Sequence, residues 1–282
     1  MKALSRVYRA PATHWVGDGF PVRTLFSYNT HGASISPFLL LDYAGPAEFS
    51  PSSEPRGVGR HPHRGFETVT VVYQGEVEHR DTAGNHGRIG PGDVQWMTAA
   101  RGILHEEMHG RDFTEKGCTL EMVQLWVNLP AKDKTSAPRY QEILDHSIPT
   151  VVIGGESIAR IIAGEYNGTK GPAQTFTPIN LWDLRLKASV RTELTMPGGF
   201  TTLLLALAGS VTVNDTEAVG EAELGLFEKE GETVSLEART DSKLLLMSGQ
   251  PIDEPVAGYG PFVMNTQEEI NKAVADFQAG RF

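Results

Sequence analysis

Cysteine is almost missing: Cys118 is the only one among 282 residues, so no intrachain disulfide can form. A reducing compartment suits such a chain. Within the apolar stretch "CTLEMV", Cys118 is expected to be a buried, inert thiol rather than a nucleophile. No apolar run approaches the roughly 20 residues that span a bilayer. The opening "MKALSRVYRA" lacks the apolar segment of a secretory signal. A cytoplasmic protein without a membrane partner is therefore expected, and the triplets "NGT" at Asn167 and "NDT" at Asn214 then carry no glycan. Basic charge is scarce too. Twenty-five Lys and Arg stand against 35 Asp and Glu, a formal net charge of −10. Such a surface repels a phosphate backbone, so no direct nucleic-acid partner is expected. Histidine is absent from the second half: all nine lie at or before His146.

What is present points to β-structure. Forty per cent of residues are apolar, enough to bury the cores of one to two domains. Thirty glycines and seventeen prolines without a period indicate many turns. Strand-like stretches recur at Val22–Ser27, Phe38–Asp42, Glu67–Tyr73, Val77–Asp81, Asp93–Met97, Ile103–Met108 and Leu120–Asn128. "LPAKDKTSAP" from Leu129 reads as a connection, dividing the chain into domains 1–133 and 134–282. A second series follows, including Ala159–Ala163, Leu181–Leu186, Thr201–Leu207, Ser210–Val213 and Lys243–Ser248. "VTVVYQGEVEHRD" and "LLLALAGSVTVND" share one rhythm: apolar strand, glycine turn, second strand ending in Asp. This is a weak internal repeat of one β-domain. One helix is signalled near the end, with a capping box from Thr266 to Glu269, an apolar stripe of Ile270, Val274 and Phe277, and Gly280 as a stop. Phe277 is expected in the core.

The imidazoles are concentrated in "HPHRGFETVTVVYQGEVEHRD", which opens at His61, and in "ILHEEMH" at Ile103–His109. Side chains two residues apart on a strand share a face. His61 therefore pairs with His63 and His105 with Glu107, while Glu106 takes the other face. Three neutral imidazoles and a carboxylate suit a divalent transition metal: iron, manganese, nickel, copper or zinc. Glu67 has the parity of His63 and remains a rival ligand, although Gly65 between them could host a bulge. His109 is expected beyond the strand; His14, His31, His79, His86 and His146 read as surface residues or as residues behind the ligands.

The motifs "HPHRGFETVT" at His61–Thr70, "GDVQWMTAARGILHEEM" at Gly92–Met108, "QLWVNLP" at Gln124–Pro130, "GPFVMNT" at Gly260–Thr266 and "SPFLLLDYAGP" at Ser36–Pro46 resemble the pirin family of the cupin superfamily. The resemblance runs nearly end to end and is loosest from Ala131 to about Ile179. It implies an all-β bicupin: two antiparallel jelly-roll barrels packed face to face, with a short C-terminal helix. One metal, usually iron as Fe²⁺, is implied in the N-terminal barrel. Carried over by position, the metal ligands are His61, His63, His105 and Glu107. The second barrel would lack a metal set.

Pirins imply two functions. Some resemble flavonol dioxygenases that open quercetin with O₂; others act as regulators that bind protein partners. A metal with open positions beside Glu107 as a base suits the enzyme, acting on a small enolisable aromatic such as a flavonol. The alternative is a metal-containing regulatory module without turnover. A monomer is expected. Phe66, Trp96 and Met97 are assigned to the core rather than to substrate contacts.

Overall fold

Alternating apolar and polar side chains make most of the chain strand, and the turns fall at the glycines that punctuate the sequence. The computed structural model describes residues 1–282. In chain order, the first strands are β1 (Leu4–Tyr8), β2 (His14–Val16), β3 (Phe20–Ser27), β4 (Phe38–Phe49), β5 (Gly57–His63) and β6 (Phe66–Gln74). They are followed by β7 (Val77–Asp81), β8 (His86–Ile89), β9 (Val94–Thr98), β10 (Ile103–His109), β11 (Cys118–Asn128) and β12 (Arg139–Ile143).

The chain folds as two β-units, neither of them contiguous in sequence. One gathers Ala12–Ala33, Phe38–Asp145 and Ile252–Phe282; the other gathers Met1–Pro11, Ser34–Pro37 and His146–Pro251. The division expected at residues 133 and 134 does not match these units. Its basis, the polar stretch from Leu129, lies inside the first unit. There Lys134 is buried, and its Nζ donates to Gly65 O, Asn128 Oδ1 and Val263 O at 2.6, 2.6 and 2.9 Å. A fully hydrogen-bonded ammonium can be buried, so a polar-looking stretch need not be a linker.

In the first unit, a seven-stranded antiparallel sheet runs β12-β9-β6-β11-β4-β3-β2, and a four-stranded one runs β5-β10-β7-β8. The second unit repeats the plan with a seven-stranded and a four-stranded sheet. The edge position taken by β12 in the first unit is filled in the second by β1, which pairs with Leu224–Phe227. The internal repeat is thus visible in the topology. In the second unit the place of the β5–β10 pair is taken by Arg191–Thr195 and Thr233–Ala238. Their inward residues, among them Leu194, Val234 and Leu236, join a filled apolar core.

The first barrel is not filled in this way. Phe20, Val22, Val72, Leu120 and Met122 form an apolar cluster, but a polar row crosses the large sheet. Register aligns Thr24 with Asp42, Asp42 with Gln124, Gln124 with Thr70, and Thr70 with Gln95. The C-terminal helix, Gln267–Gln278, has the expected capping box at Thr266 and Glu269 and buries Ile270 and Ala273. Phe277 is 40% exposed, contrary to its expected core place; its ring lies tilted against those of Phe262 and Phe282, with centroids 6.2 and 6.0 Å apart. Cys118 is likewise exposed rather than buried, because it is the first residue of β11 and stands where that strand emerges from a turn.

Candidate metal centre

The antiparallel register of β5 and β10 sets His105 opposite His61 and Ile103 opposite His63. Two residues apart on one strand, His61 and His63 share a face, and the pairing brings His105 onto it. Ring centroids lie 4.3 Å apart for His61 and His105, 4.8 Å for His63 and His105, and 4.9 Å for His61 and His63. One nitrogen of each ring lies within 4.8 Å of the other two. Beyond His105 the register slips: Glu107 faces Val58, so β5 carries an extra residue there. The Gly59 carbonyl at this bulge lies 2.9 Å from His61 Nδ1.

The nitrogens fit a metal. His63 Nδ1 and His105 Nε2 are buried without a hydrogen-bond partner, and His61 Nδ1 is engaged by Gly59, which leaves its Nε2 free. Burial, and after it the neighbouring imidazoles, hold His63 and His105 well below the ordinary histidine value. Unprotonated rings with unused lone pairs converging on one point are a donor set for a borderline cation.

Glu107 is buried and lines the same cavity, but it lies outside the close group of nitrogens. Its carboxylate is held from the large sheet: Gln95 Nε2 donates to Oε1 at 2.7 Å, and Gln124 Nε2 donates to Oε2 at 2.9 Å. The Thr70 hydroxyl reaches Oε1 at 3.4 Å. Tyr140 OH in turn donates to Gln95 Oε1 at 3.3 Å. The polar row is therefore the cradle of this glutamate. Gln95, Gln124 and Tyr140 escaped the sequence reading; strand register across three separate segments is needed to find them.

Glu67 faces away. Thr70, with even parity on β6, points at Glu107, so Glu67 takes the other face, where the Thr98 hydroxyl donates to it at 2.7 Å and Arg139 stands 4.0 Å off. The chain breaks between β5 and β6, with Gly65 at a φ of +90°, and the parity counted from His63 is lost there. Burial pushes the Glu67 carboxyl up to about 7, against the Thr98 hydrogen bond. Glu106 lies on the face opposite His105 and lines a separate groove with Arg80 and Arg111.

Among the other histidines, His14, His86 and His146 are exposed and His31 is half-buried. His79 is buried behind His105. His109 ends β10 rather than lying beyond it, with its Nε2 2.8 Å from Gly19 O and its ring against Phe20, Phe49 and Phe113. The cavity in front of the cluster measures about 400 Å³ and has mostly apolar walls, including Phe20, Leu40, Val58 and Trp126. Phe66, Trp96 and Met97 are fully buried, as expected. Phe66 stacks at 4.3 Å on Trp126, which lines the cavity.

Comparison with known proteins agrees with this architecture. Residues 19–127 match the family model described as Pirin, and residues 181–282 match the Pirin C-terminal cupin domain. The chain is 57% identical to a Pseudomonas aeruginosa protein named "Putative quercetin 2,3-dioxygenase", over 100% of this chain and 99% of that one. The chain belongs to the pirin family. Another pirin relative, a pirin-like protein of Solanum lycopersicum, is 41% identical over 94% of this chain and 88% of its own. A crystal structure of a quercetin 2,3-dioxygenase from Acinetobacter baumannii superposes with a TM-score of 0.98 at 52% identity, covering 100% of this pirin chain and 98% of that one. No helix of this pirin chain is long and apolar enough to cross a membrane.

Proposed function

We infer that this chain is a metal-dependent dioxygenase that opens a flavonol-like ring with O₂. The observation that carries the reading is the convergence of three imidazoles, two with unpartnered buried nitrogens, beside a mostly apolar cavity lined by two of them, His61 and His63, and by an amide-cradled carboxylate. The names of the relatives from Pseudomonas aeruginosa and Acinetobacter baumannii support it.

His61, His63 and His105 would hold the ion, with Glu107 as the fourth ligand. The cation, Fe²⁺ in this reading, would supply open positions for O₂ and a substrate oxygen, and a local positive charge that favours an enolate. The chain's own side chains do the rest. Glu107 takes the proton of the substrate hydroxyl: it lines the cavity with His61 and His63 and sits on the same strand as His105, whereas Asp42, the other carboxylate of the lining, is bonded to Thr24. Gln95 and Gln124 hold both of its oxygens and aim them. Phe20, Leu40, Val58 and Trp126 pack the aromatic substrate and exclude water. Burial of the histidines keeps them in the ligating, unprotonated form.

The test is metal analysis of the purified protein, followed by O₂ uptake with a panel of flavonols. One iron or other redox metal per chain, with O₂ consumed in step with flavonol loss, is expected. Metal without turnover on any enolisable aromatic would instead favour the regulatory, protein-binding reading.

A further inference from the structure

Behind the imidazole cluster a fourth histidine stands in line with His105. His79 Nδ1 lies 3.4 Å from His105 Nδ1, and His79 Nε2 lies 3.1 Å from Asp81 Oδ2. Solvent reaches neither the His79 nor the Asp81 side chain. Asp81 is pinned in place, because its oxygens also accept from the backbone N–H groups of Ala83 and Asn85 and from the Asn85 amide. The His79 ring is stacked on Tyr140, with centroids 4.7 Å apart and planes 17° from parallel. Gly87 leaves the room for that tyrosine: a Cβ there would come within 2.0 Å of its oxygen.

A carboxylate only accepts hydrogen bonds, and a neutral imidazole has one donor and one acceptor. The direction of the series follows. His79 Nε2–H donates to Asp81, so His79 Nδ1 is the acceptor, and the hydrogen between the two Nδ1 atoms belongs to His105. His105 then bears a lone pair on Nε2, the atom that is buried without a partner. We propose that Asp81 and His79 are positioning residues that lock His105 in its Nδ1–H tautomer and so present its Nε2 lone pair to a metal ion in the cavity. The proposal rests on the metal reading above, but the tautomer itself can be observed without metal.

The experiment uses the full chain labelled with ¹⁵N-histidine and treated with chelator. Two-bond ¹H–¹⁵N correlations distinguish a protonated ring nitrogen from a bare one. His105 is expected to be protonated at Nδ1 and bare at Nε2. His79→Phe keeps a ring against Tyr140 but removes both nitrogens. In that variant the single His105 tautomer should be lost, and Co²⁺ affinity, read from the visible absorption of the bound ion, should fall about 10- to 100-fold. His79→Gln returns a carbonyl acceptor and should restore most of the affinity. A wild-type His105 protonated at Nε2, or equal Co²⁺ affinity in wild type and His79→Phe, overturns the proposal. Should His79→Phe fail to fold, the wild-type spectrum and His79→Gln still decide it. Wild-type protein that takes up no Co²⁺ overturns the metal reading itself, a failure visible apart from the tautomer spectrum.

Discussion

His61 and His105 face each other across one antiparallel pair, directly in register, with ring centroids 4.3 Å apart. Neither strand alone makes this site; the pairing does. Replacing His61 or His63 by Ala removes one nitrogen donor from a set of three, and metal content should drop to near zero by elemental analysis. The fold should persist, since each unit carries an apolar core of its own. Circular dichroism of the metal-free variants checks this, and wholesale unfolding would contradict it.

The three glutamates near the site should separate cleanly. Glu107→Gln keeps the shape but removes the charge, and flavonol-dependent O₂ uptake should fall by two orders of magnitude or more, as for the loss of a general base, with weaker metal retention. Glu106→Gln, on the far face, should change neither. Glu67→Gln should also leave metal in place, because Glu67 is bonded to Thr98 on the opposite face of β6. Metal lost from Glu67→Gln but retained in an active Glu107→Gln would show that the ligand set is wrong.

Glu67 should also leave a mark on stability. Its folded-state carboxyl lies at about 7 against an ordinary 4.5, so the folded chain binds more protons between these values. Stability from this group is present in full below pH 4.5 and is lost as pH rises through about 7. A shift of this size, in which the lowering effect of Arg139 at 4.0 Å is already contained, corresponds to roughly 3 kcal/mol at most. Denaturant titrations from pH 4 to 8 should therefore show wild type losing stability relative to Glu67→Gln as pH rises. Parallel curves would rule this out.

Lys134 ties three segments together through Gly65 O, Asn128 Oδ1 and Val263 O. Lys134→Met keeps the apolar stem and strands three buried acceptors, each worth about 1–3 kcal/mol when left unsatisfied. A loss of at least about 2 kcal/mol in urea unfolding is expected. Faster proteolysis within Ile252–Phe282 should accompany it, since one of the three acceptors lies in that segment. Unchanged stability would mean that water or a shifted side chain replaces the ammonium.

Period-2 patterning, glycine punctuation and the confinement of histidine to one half were enough to read an all-β chain with a weak internal repeat and one imidazole site. The His-x-His and His-x-Glu pairs were legible for the same reason: on a strand, spacing fixes the face. Local spacing stops being informative where the backbone breaks. Glu67 shares the parity of His63 on paper, but the left-handed Gly65 separates their strands and turns it away. The linker at Leu129 looked polar because a sequence does not show that Lys134 would find three buried acceptors. Phe277 and Cys118 looked buried from their neighbours, yet their exposure depends on what packs against them. Sequence by itself thus determined the strand content, the repeat and which residues could act as ligands. Only the tertiary structure decided that Gln95 and Gln124 reach Glu107, that Tyr140 reaches Gln95 and that His79 lies behind His105. Those contacts join strands far apart in the chain, and their register is set by the barrel as a whole.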